Sequence, residues 1–423
     1  MRTSVKLLPW LLSMMAGHVF ATDGYFAHGY GVKGLGLGGV GIALPQDALA
    51  AATNPAGLGI VGDRIDFGVT WFKPDRDVRL SNTAGGSGAL DGRYDGNDTE
   101  HFFIPEFGYN RVINDRTTLG VSVYGNGGMN TDYKDGIPYF NTTGSRTGID
   151  YLQVVVAPTA TWRVNEQHVL GVSLNLAYQR FEAKGLQNFD NAFSTTSVGN
   201  VTNNGHDNSY GAGLRVGWIG QVSDAVTLGA TYQTKTYASK FDKYKGLFAE
   251  GGDIDIPANY GIGIAVKTTP SLTLAADAQR ILYSDVDSIG NLSLSNLLAG
   301  NALGSSKGPG FGWRDVTVFK LGAQYSYSDT LTLRAGYNHS SQPVRSSETL
   351  FNILAPAVVQ DHLTLGATYT LPNKSELSFF FAHAFENKVR GSNSIPTGAP
   401  FGGGEADLRM NQNSLGVAYG WAL

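Results

Sequence analysis

The sequence of 423 residues contains no cysteine, so disulfide bonds and thiolate metal sites are excluded. Beyond its first residues it has no run of about 18 uninterrupted apolar residues, which excludes a membrane-spanning helix there. Charged residues make up only 16% of the chain, and the formal net charge is −4. This mild acidity argues against a nucleic-acid partner. We expect neither a cofactor nor a metal.

The first residues have the character of a secretory leader. Arg2 and Lys6 precede an apolar segment, Leu7–Phe20, and Ala21 supplies the small residue of a cleavage site. This pattern predicts a signal peptide over residues 1–21. Its removal takes away two basic residues and no acidic one, so the formal charge goes from −4 to −6. An exported chain without disulfides needs another source of stability, and closure of a β-barrel provides one because it pairs every strand edge.

Apolar and polar residues alternate at period two through the rest of the chain. The segment Val226-Thr-Leu-Gly-Ala-Thr-Tyr232 returns almost unchanged as Leu363–Tyr369, and more loosely as Leu331–Tyr337 and Leu272–Ala278. In a strand the two phases lie on opposite faces, so the apolar phase is predicted to face lipid and the polar phase the lumen. The predicted lumen phase contains Thr227, Thr231, Gln233, Asp277, Lys320 and Arg334.

These segments predict an all-β protein, an antiparallel transmembrane β-barrel of about fourteen strands. The third predicted strand is Thr117–Gly125, and the seventh is Ala225–Lys240. Short connections alternate with long ones, which is typical of periplasmic turns and extracellular loops in outer-membrane barrels. A soluble β-sandwich would instead turn its apolar phase inward. The predicted location is the outer membrane of a Gram-negative bacterium, which the chain crosses many times.

The stretch between the leader and the first strand is rich in glycine and opens with aromatic residues. Gly36–Gly41 matches the dinucleotide fingerprint GxGxxG, but that motif needs a βαβ unit, and none follows. A flexible linker is the other alternative, but regularly spaced apolar residues favour packing against a wall. We therefore predict a hatch over residues 22–62, inside a barrel formed by residues 63–423.

Four short motifs occur along the chain: Asn54-Pro55-Ala56, Ala177-Tyr-Gln-Arg180, Ile254-Asp-Ile-Pro257 and Ser341-Gln-Pro-Val344. Together with the aromatic-led, glycine-rich start, they resemble the FadL/TodX family of outer-membrane transporters for long-chain fatty acids and other hydrophobic compounds. The resemblance implies a barrel of about fourteen strands with an N-terminal hatch. It implies passive uptake of a hydrophobic small molecule, contact with outer-membrane lipid and lipopolysaccharide, and a monomer. Leu423 departs from the pattern, because such barrels commonly end in Phe.

A hydrophobic solute gains nothing from a water-filled pore, so it needs an apolar capture site outside and a pocket within. The resemblance places a capture groove on two long loops, whose apolar residues are Phe189, Phe193, Phe241, Leu247 and Phe248. These side chains could instead pack the loops together. The resemblance also places Tyr25 and Phe26 beside the bound acyl chain.

A carboxylate headgroup would require a cation in the pocket. Lys320 is a candidate on the predicted lumen phase, where Lys235 and Arg334 also fall. Arg180 matches a basic position of the family, but simple alternation places it with Tyr178 on the lipid phase. Either a bulge turns Arg180 inward or it contacts a lipopolysaccharide phosphate.

A predicted gate follows the third strand. Gly125, Gly127 and Gly128 flank Asn126, and three glycines in four residues cannot sustain a regular strand. In the family the third strand kinks inward and leaves a lateral opening, and the resemblance implies the same here. The alternative is an ordinary loop. We expect the hatch motif formed by Asn54, Pro55 and Ala56 to meet these glycines and to form the gate with them.

Three alternative functions differ in how well they fit the sequence. The chain has no GxSxG nucleophile elbow, and the neighbours His339 and Ser340 would face opposite sides of a strand, so we expect no enzyme. A porin for hydrophilic solutes would not need a hatch. An exporter or surface receptor for lipid-like compounds stays open, and so does the solute, since a fatty acid, an alkane and an aromatic hydrocarbon all fit.

Overall fold

The computed structural model describes residues 23–398 and 400–423. Fourteen long strands form a closed antiparallel barrel, as predicted. The strands are β1 (Arg64–Ser81), β2 (Phe102–Asn114), β3 (Thr117–Tyr133), β4 (Thr147–Arg163), β5 (His168–Lys184), β6 (Asp207–Gln221), β7 (Val226–Gln233), β8 (Asn259–Lys267), β9 (Leu272–Ile281), β10 (Val316–Ser326), β11 (Leu331–Ser340), β12 (Asp361–Thr370), β13 (Glu376–Val389) and β14 (Glu405–Ala422). The predicted signal peptide lies outside the described residues.

The first and last strands close the barrel. Their register runs from Arg64↔Ala422 to Ser81↔Glu405 without a shift. Because the first strand pairs with the last, the sheet has no free end strand, and such closure is what allows a sheet to span lipid. Two short strands, Gly92–Asp95 and Tyr237–Ala238, pair with β1 and β6.

Side chains alternate between lumen and lipid as the sequence predicts. In β7, Thr231 and Gln233 are buried, whereas Tyr232 between them is 46% exposed. Thr227 shares the inward phase but lies near the turn and is only partly buried. The other predicted lumen residues, Asp277, Lys320 and Arg334, are all buried. The apolar surface of this protein therefore faces outward, as a lipid-embedded barrel requires.

The ends of β3 and β7 differ from the sequence prediction. β3 continues past Gly125 to Tyr133, because it keeps its pairing with β4 through a one-residue bulge at Asn126. β7 ends at Gln233 rather than Lys240, and the chain beyond it forms isolated pairings instead of the regular ladder. Alternation alone carries no information on such bulges, since the pattern simply shifts phase by one residue.

Residues 23–62 lie inside the barrel and touch its wall all round. A Cβ atom at Gly336 of β11 would lie 2.1 Å from the Gly38 amide nitrogen. On another part of the wall, a Cβ atom at Gly171 of β5 would lie 2.3 Å from the Ala56 amide nitrogen. These wall positions need glycine because the hatch backbone comes too close for any side chain.

Acidic lumen side chains fix the hatch by accepting its backbone amides. Glu106 of β2 accepts hydrogen bonds from the amide nitrogens of Gly31 and Val32, at 3.2 and 2.8 Å. Asp277 of β9 accepts from Gly41 at 2.8 Å. Each carboxyl group satisfies hatch amides that would otherwise be buried without an acceptor. Lumen carboxylates thus bind the hatch backbone, in addition to pairing with cations.

The helices are short and lie in the hatch and the loops. The α-helices are α1 (Val32–Leu35), α2 (Ala249–Gly252), α3 (Asp287–Gly290) and α4 (Leu294–Leu298). The 3₁₀ helices are Ala50–Ala52, Pro55–Gly59, Ala84–Gly86, Gln187–Phe189, Asp242–Tyr244, Tyr283–Asp285, Ser346–Glu348 and Phe351–Ile353. None of the described helices qualifies as an apolar segment of membrane-spanning length.

Candidate functional site

The start of the hatch lies in an aromatic cluster deep inside the barrel. Tyr25 and Phe26 are both buried. The ring centroid of Tyr25 lies 5.1 Å from that of Tyr283, 6.0 Å from that of Tyr151 and 5.9 Å from that of Trp313. Such edge-on and tilted contacts are those of well-packed aromatic rings. The cluster forms an apolar interior region at the height where a solute from outside would meet the hatch.

Tyr283 anchors the first described residues through its hydroxyl group. The hydroxyl oxygen accepts hydrogen bonds from the amide nitrogens of Tyr25 and Phe26, each at 3.2 Å. The hydroxyl donates to the carbonyl oxygen of Asp23 at 2.6 Å. Burial raises the pKa of the Asp23 carboxyl to about 6, although the Lys320 ammonium opposes this shift. One side chain therefore fixes the entry of the hatch into the aromatic cluster.

The same hatch segment pairs with the inner side of β3. Phe26 forms an antiparallel bridge with Gly127, and the Gly128 amide donates to the Tyr25 carbonyl oxygen at 2.9 Å. A Cβ atom at Gly127 would lie only 2.0 Å from the Tyr25 carbonyl oxygen. Glycine is therefore required at this position for the hatch backbone to reach the strand.

The barrel wall has a break beside this contact. The register between β2 and β3 runs up from the turn and ends at Phe107↔Val123, although both strands continue outward. Near the outer rim the two sides meet again, where the Asp132 amide donates to the Gly96 carbonyl oxygen at 3.0 Å. We call the stretch between these limits, Phe102–Glu106 on β2 and 124–131 on β3, the wall break.

A small cavity with both apolar and charged side chains in its lining lies further inside. It is lined by Phe26, Tyr30, Arg215, Asp277 and Lys320, among other residues of hatch and wall. Its volume of about 10 Å³ is close to that of a single water site. A solute can enter this region only if the hatch moves.

An apolar groove lies on the extracellular loops. Its volume is about 700 Å³. Phe189, Phe193, Leu297, Leu298 and Phe401 are among the residues that line it. Phe193 is 81% exposed, an unusual state for a phenylalanine and one typical of a binding surface. The groove offers apolar contact to a solute arriving from outside.

Comparison with known proteins identifies the family. Residues 13–421 match the family described as "Outer membrane protein transport protein (OMPP1/FadL/TodX)". The chain belongs to the OMPP1/FadL/TodX family. This confirms the resemblance read from the sequence and the predicted outer-membrane location. A search of curated proteins gives no match.

Solved structures of the OMPP1/FadL/TodX family share this fold. The toluene transporter TodX of P. putida is 18% identical with a TM-score of 0.68, over 93% of this chain and 98% of that chain. A Pseudomonas aeruginosa FadL homologue is 18% identical with a TM-score of 0.66, over 94% and 98%. The Ralstonia pickettii toluene transporter TbuX is 20% identical with a TM-score of 0.63, over 93% and 98%.

The predicted capture residues separate into two groups. Phe189 and Phe193 line the extracellular groove. Phe241 and Phe248 are buried and pack with their rings 5.9 and 4.6 Å from that of Phe181, and Leu247 is partly buried against the same cluster. This second group packs the loops together instead of lining the groove. Loop packing was the alternative to solute capture for these residues.

Arg180 does not reach the pocket. The register of β5 with both neighbouring strands is regular at Arg180, so no bulge turns its side chain inward. The guanidinium lies on the outer face and pairs with Asp150, at 3.2 Å between Nη2 and Oδ2. Lys320, by contrast, lines the lumen cavity. Contact of Arg180 with lipopolysaccharide remains a prediction.

The hatch motif contacts a different part of the wall from the one predicted. The Asn54 side-chain nitrogen donates to the carbonyl oxygens of Ile42 and Trp218, at 2.8 and 3.0 Å, and Pro55 and Ala56 lie against β5 and β6. The expectation that this motif meets Gly125–Gly128 is therefore wrong. Proline at position 55 stops the preceding turn as expected, but its place against the wall depends on long-range contacts.

Several residues around the candidate site are not evident from the sequence. Tyr151 and Arg215 both lie on the lumen phase of their strands, and both are buried. An aromatic ring or a cation in an otherwise small and polar lumen phase was the signal that could have revealed them. Tyr283 and Trp313 lie in loop segments, where alternation gives no orientation.

Proposed function

We propose that this protein is a channel for the passive uptake of long-chain fatty acids or similar hydrophobic molecules. The extracellular groove captures the solute, the aromatic cluster holds it, and the wall break releases it sideways into the membrane. The observation that carries the proposal is the wall break itself. It lies directly beside the hatch segment Tyr25–Ala27, which covers β3 from the inside.

Capture begins at the groove. A solute that lies against Phe193 and Leu298 removes apolar surface of both partners from water. Each square ångström of such surface contributes about 25 cal/mol. The groove is open to solvent, so binding there is weak and reversible, and the solute can move on toward the interior.

The aromatic cluster provides the second, buried site. Tyr25 and Phe26 belong to one continuous buried apolar cluster that also contains Leu186 and Phe189 beneath the groove. A solute can therefore pass from the groove to the hatch along apolar side chains without entering bulk water. Because the interior is filled in this structure, entry must displace the hatch segment.

Lateral release is favoured because the periplasmic mouth of the barrel opens into water, whereas the wall break opens into lipid. A hydrophobic solute that left through the periplasmic mouth would enter water, whereas one that leaves through the wall break enters lipid. Gly127 and Gly128 place no side chain in this route. The hatch segment is held there by backbone hydrogen bonds to β3, by the Tyr283 hydroxyl group and by the packing of the Tyr25 and Phe26 rings. Movement of that segment is sufficient to open the route, and no energy source is required. The filled lumen also argues against a hydrophilic porin.

Removal of the β3 bulge tests the lateral route. Deletion of Asn126 takes out the one extra residue, so that β3 can continue its ladder with β2 and close the wall. Uptake of radiolabelled palmitate is measured in cells that depend on this channel. We expect uptake to fall to background while purified protein still binds palmitate.

Two control variants separate the loss of the β3 bulge from the loss of the Asn126 side chain and from the general effect of deleting a bulge residue. Asn126→Gly keeps the bulge but removes the side chain that donates to Gln153 at 2.8 Å, and its uptake should persist. Deletion of Ile113 removes another bulge, near the turn on β2, and should also leave uptake intact. Normal uptake by a folded Asn126 deletion would reject lateral release and favour passage straight down the lumen.

A further inference from the structure

Arg76 is a fully buried arginine at the edge of the wall break. It lies on the inward phase of β1, and its exposed fraction is 0%. Its Nη2 atom donates to the Thr99 carbonyl oxygen at 2.6 Å and to Asn130 Oδ1 at 2.8 Å. Thr99 precedes β2, and Asn130 lies on β3. The guanidinium therefore spans the upper edge of the wall break.

This guanidinium has no counter-ion among the described residues. No carboxylate oxygen of the described chain lies within 4.0 Å of it, and its Nε and Nη1 atoms have no hydrogen-bond acceptor there. The acids nearest in effect are engaged elsewhere, since Asp132 pairs with Arg146, Glu100 with Lys73, and Asp95 accepts from Asn97. A buried charge without a partner is costly, so proteins normally supply one.

The other buried or half-buried arginines of the described chain differ in their partners. Arg64 pairs with Asp66 and Glu376, each at 2.7 Å. Arg146 at the rim pairs with Asp132 at 2.5 Å. The buried Arg215 and Arg334 donate only to uncharged groups. Arg76 differs from both in leaving two guanidinium nitrogens, Nε and Nη1, without an acceptor.

Apolar side chains surround Arg76 on the lumen side. The Arg76 guanidinium carbon lies 5.9 Å from the centroid of the Phe102 ring. Phe102 belongs with Phe72, Met129 and Tyr133 to the continuous buried apolar cluster of the interior. A cation at the edge of an apolar region is suited to a molecule with an anionic head and an apolar tail.

We propose that Arg76 binds the carboxylate of an amphipathic acid at the wall break. This inference rests on the proposed function and narrows its solute class to long-chain carboxylic acids in preference to neutral hydrocarbons. The carboxylate accepts hydrogen bonds from the free donors of Arg76, and the tail lies along Phe102 and its neighbours. A neutral solute leaves these donors unpaired, which is the basis of discrimination.

The lumen cations Lys320 and Arg215 do not replace Arg76 in this role. Lys320 lies directly across the strand pair from Asp277. Arg215 donates to the Thr53 carbonyl oxygen at 2.8 Å and to Gln233. Both line the deeper cavity, whose lining includes none of the wall-break residues.

The test compares an acid with its uncharged analogue. Affinities of palmitate and hexadecanol are measured by dye displacement on purified full-length protein, at a pH where palmitate is ionised. The wild type should bind palmitate about tenfold more tightly, which corresponds to about 1.4 kcal/mol. Arg76→Met should remove this preference by weakening palmitate alone. Arg79→Met, an exposed position on the same strand, should change neither affinity.

The outcomes separate this inference from the proposed function. Equal affinity of the wild type for palmitate and hexadecanol overturns the role of Arg76 and leaves the proposed function standing. This comparison needs no variant, so equal affinities overturn the inference even if Arg76→Met does not fold. A preference that survives in Arg76→Met but vanishes in Lys320→Met places the headgroup at Lys320 and also overturns the inference. Failure of the wild type to bind either compound contradicts the proposed function itself.

Discussion

At the scale of single residues, glycines decide where hatch and wall meet. Gly127 admits the Tyr25 carbonyl oxygen of the hatch. Gly128 admits the carbonyl oxygen of Tyr151 on β4, which would lie 2.3 Å from a Cβ atom at position 128. The two neighbours therefore serve different contacts. The missing side chain of Gly127 makes room for the hatch and that of Gly128 makes room for β4, while the Gly128 amide also donates to the hatch.

The substitution Gly127→Ala tests this assignment. The added methyl group would lie 2.0 Å from the Tyr25 carbonyl oxygen, so the hatch segment must leave β3 while the barrel remains closed. We expect faster hydrogen exchange in residues 23–30, measured by mass spectrometry, with unchanged protection of β5 and β6. Gly34→Ala is the matched control, because its methyl group would meet only the Val40 carbonyl oxygen, at 4.0 Å. Equal exchange in Gly127→Ala and Gly34→Ala would show that Gly127 does not hold the hatch.

At the scale of elements, β3 and the first hatch segment form one unit. β3 pairs with β2 below the wall break, with the hatch at the wall break, and with β4 throughout. The glycine run predicted an irregularity here from the sequence. It did not predict that the strand continues to Tyr133, because a bulge and a strand end have the same local sequence signature.

The double substitution Tyr25→Ala, Phe26→Ala tests the hatch segment as a binding element. Both rings are buried, and a large buried apolar side chain contributes roughly 1.5–3 kcal/mol. If these rings contact the solute, its affinity in a dye-displacement assay should fall by at least about tenfold, while barrel yield stays the same.

The matched control is Leu37→Ala. Leu37 is also a buried hatch residue, but it packs in a separate cluster with Val40 and Ala265. Its loss should leave affinity near that of the wild type. Unchanged affinity in the double variant would limit Tyr25 and Phe26 to filling the lumen.

At the scale of the whole molecule, the barrel could be predicted from sequence and the hatch contacts could not. Each strand carries its own alternation, so strand number and lumen residues such as Lys320 follow from local patterns. The hatch has no such periodicity. The contact of Asn54 with Trp218, and that of Phe26 with Gly127, join residues far apart in sequence, and only the closed barrel brings them together.

The same limit applies to the extracellular loops. Phe193 and Phe248 look equivalent in the sequence, yet Phe193 is exposed in the groove and Phe248 packs on Phe181. Which aromatic residue is buried depends on how neighbouring loops cover it. Simple alternation placed Arg180 on the outer face of the barrel, where the structure has it. For this residue the alternation of apolar and polar residues was more informative than the match to a basic position of the family.

The lateral route is tested most directly by mapping where a solute travels. Intact cells receive a long-chain fatty acid with a photoreactive diazirine at its tail, and adducts are located by mass spectrometry after brief illumination. We predict adducts in the groove at Phe193, in the aromatic cluster at Tyr25 and Phe26, and in the wall break between Phe102 and Glu106. Adducts on the lower hatch at Leu58 and Val61, with none in the wall break, would contradict lateral release.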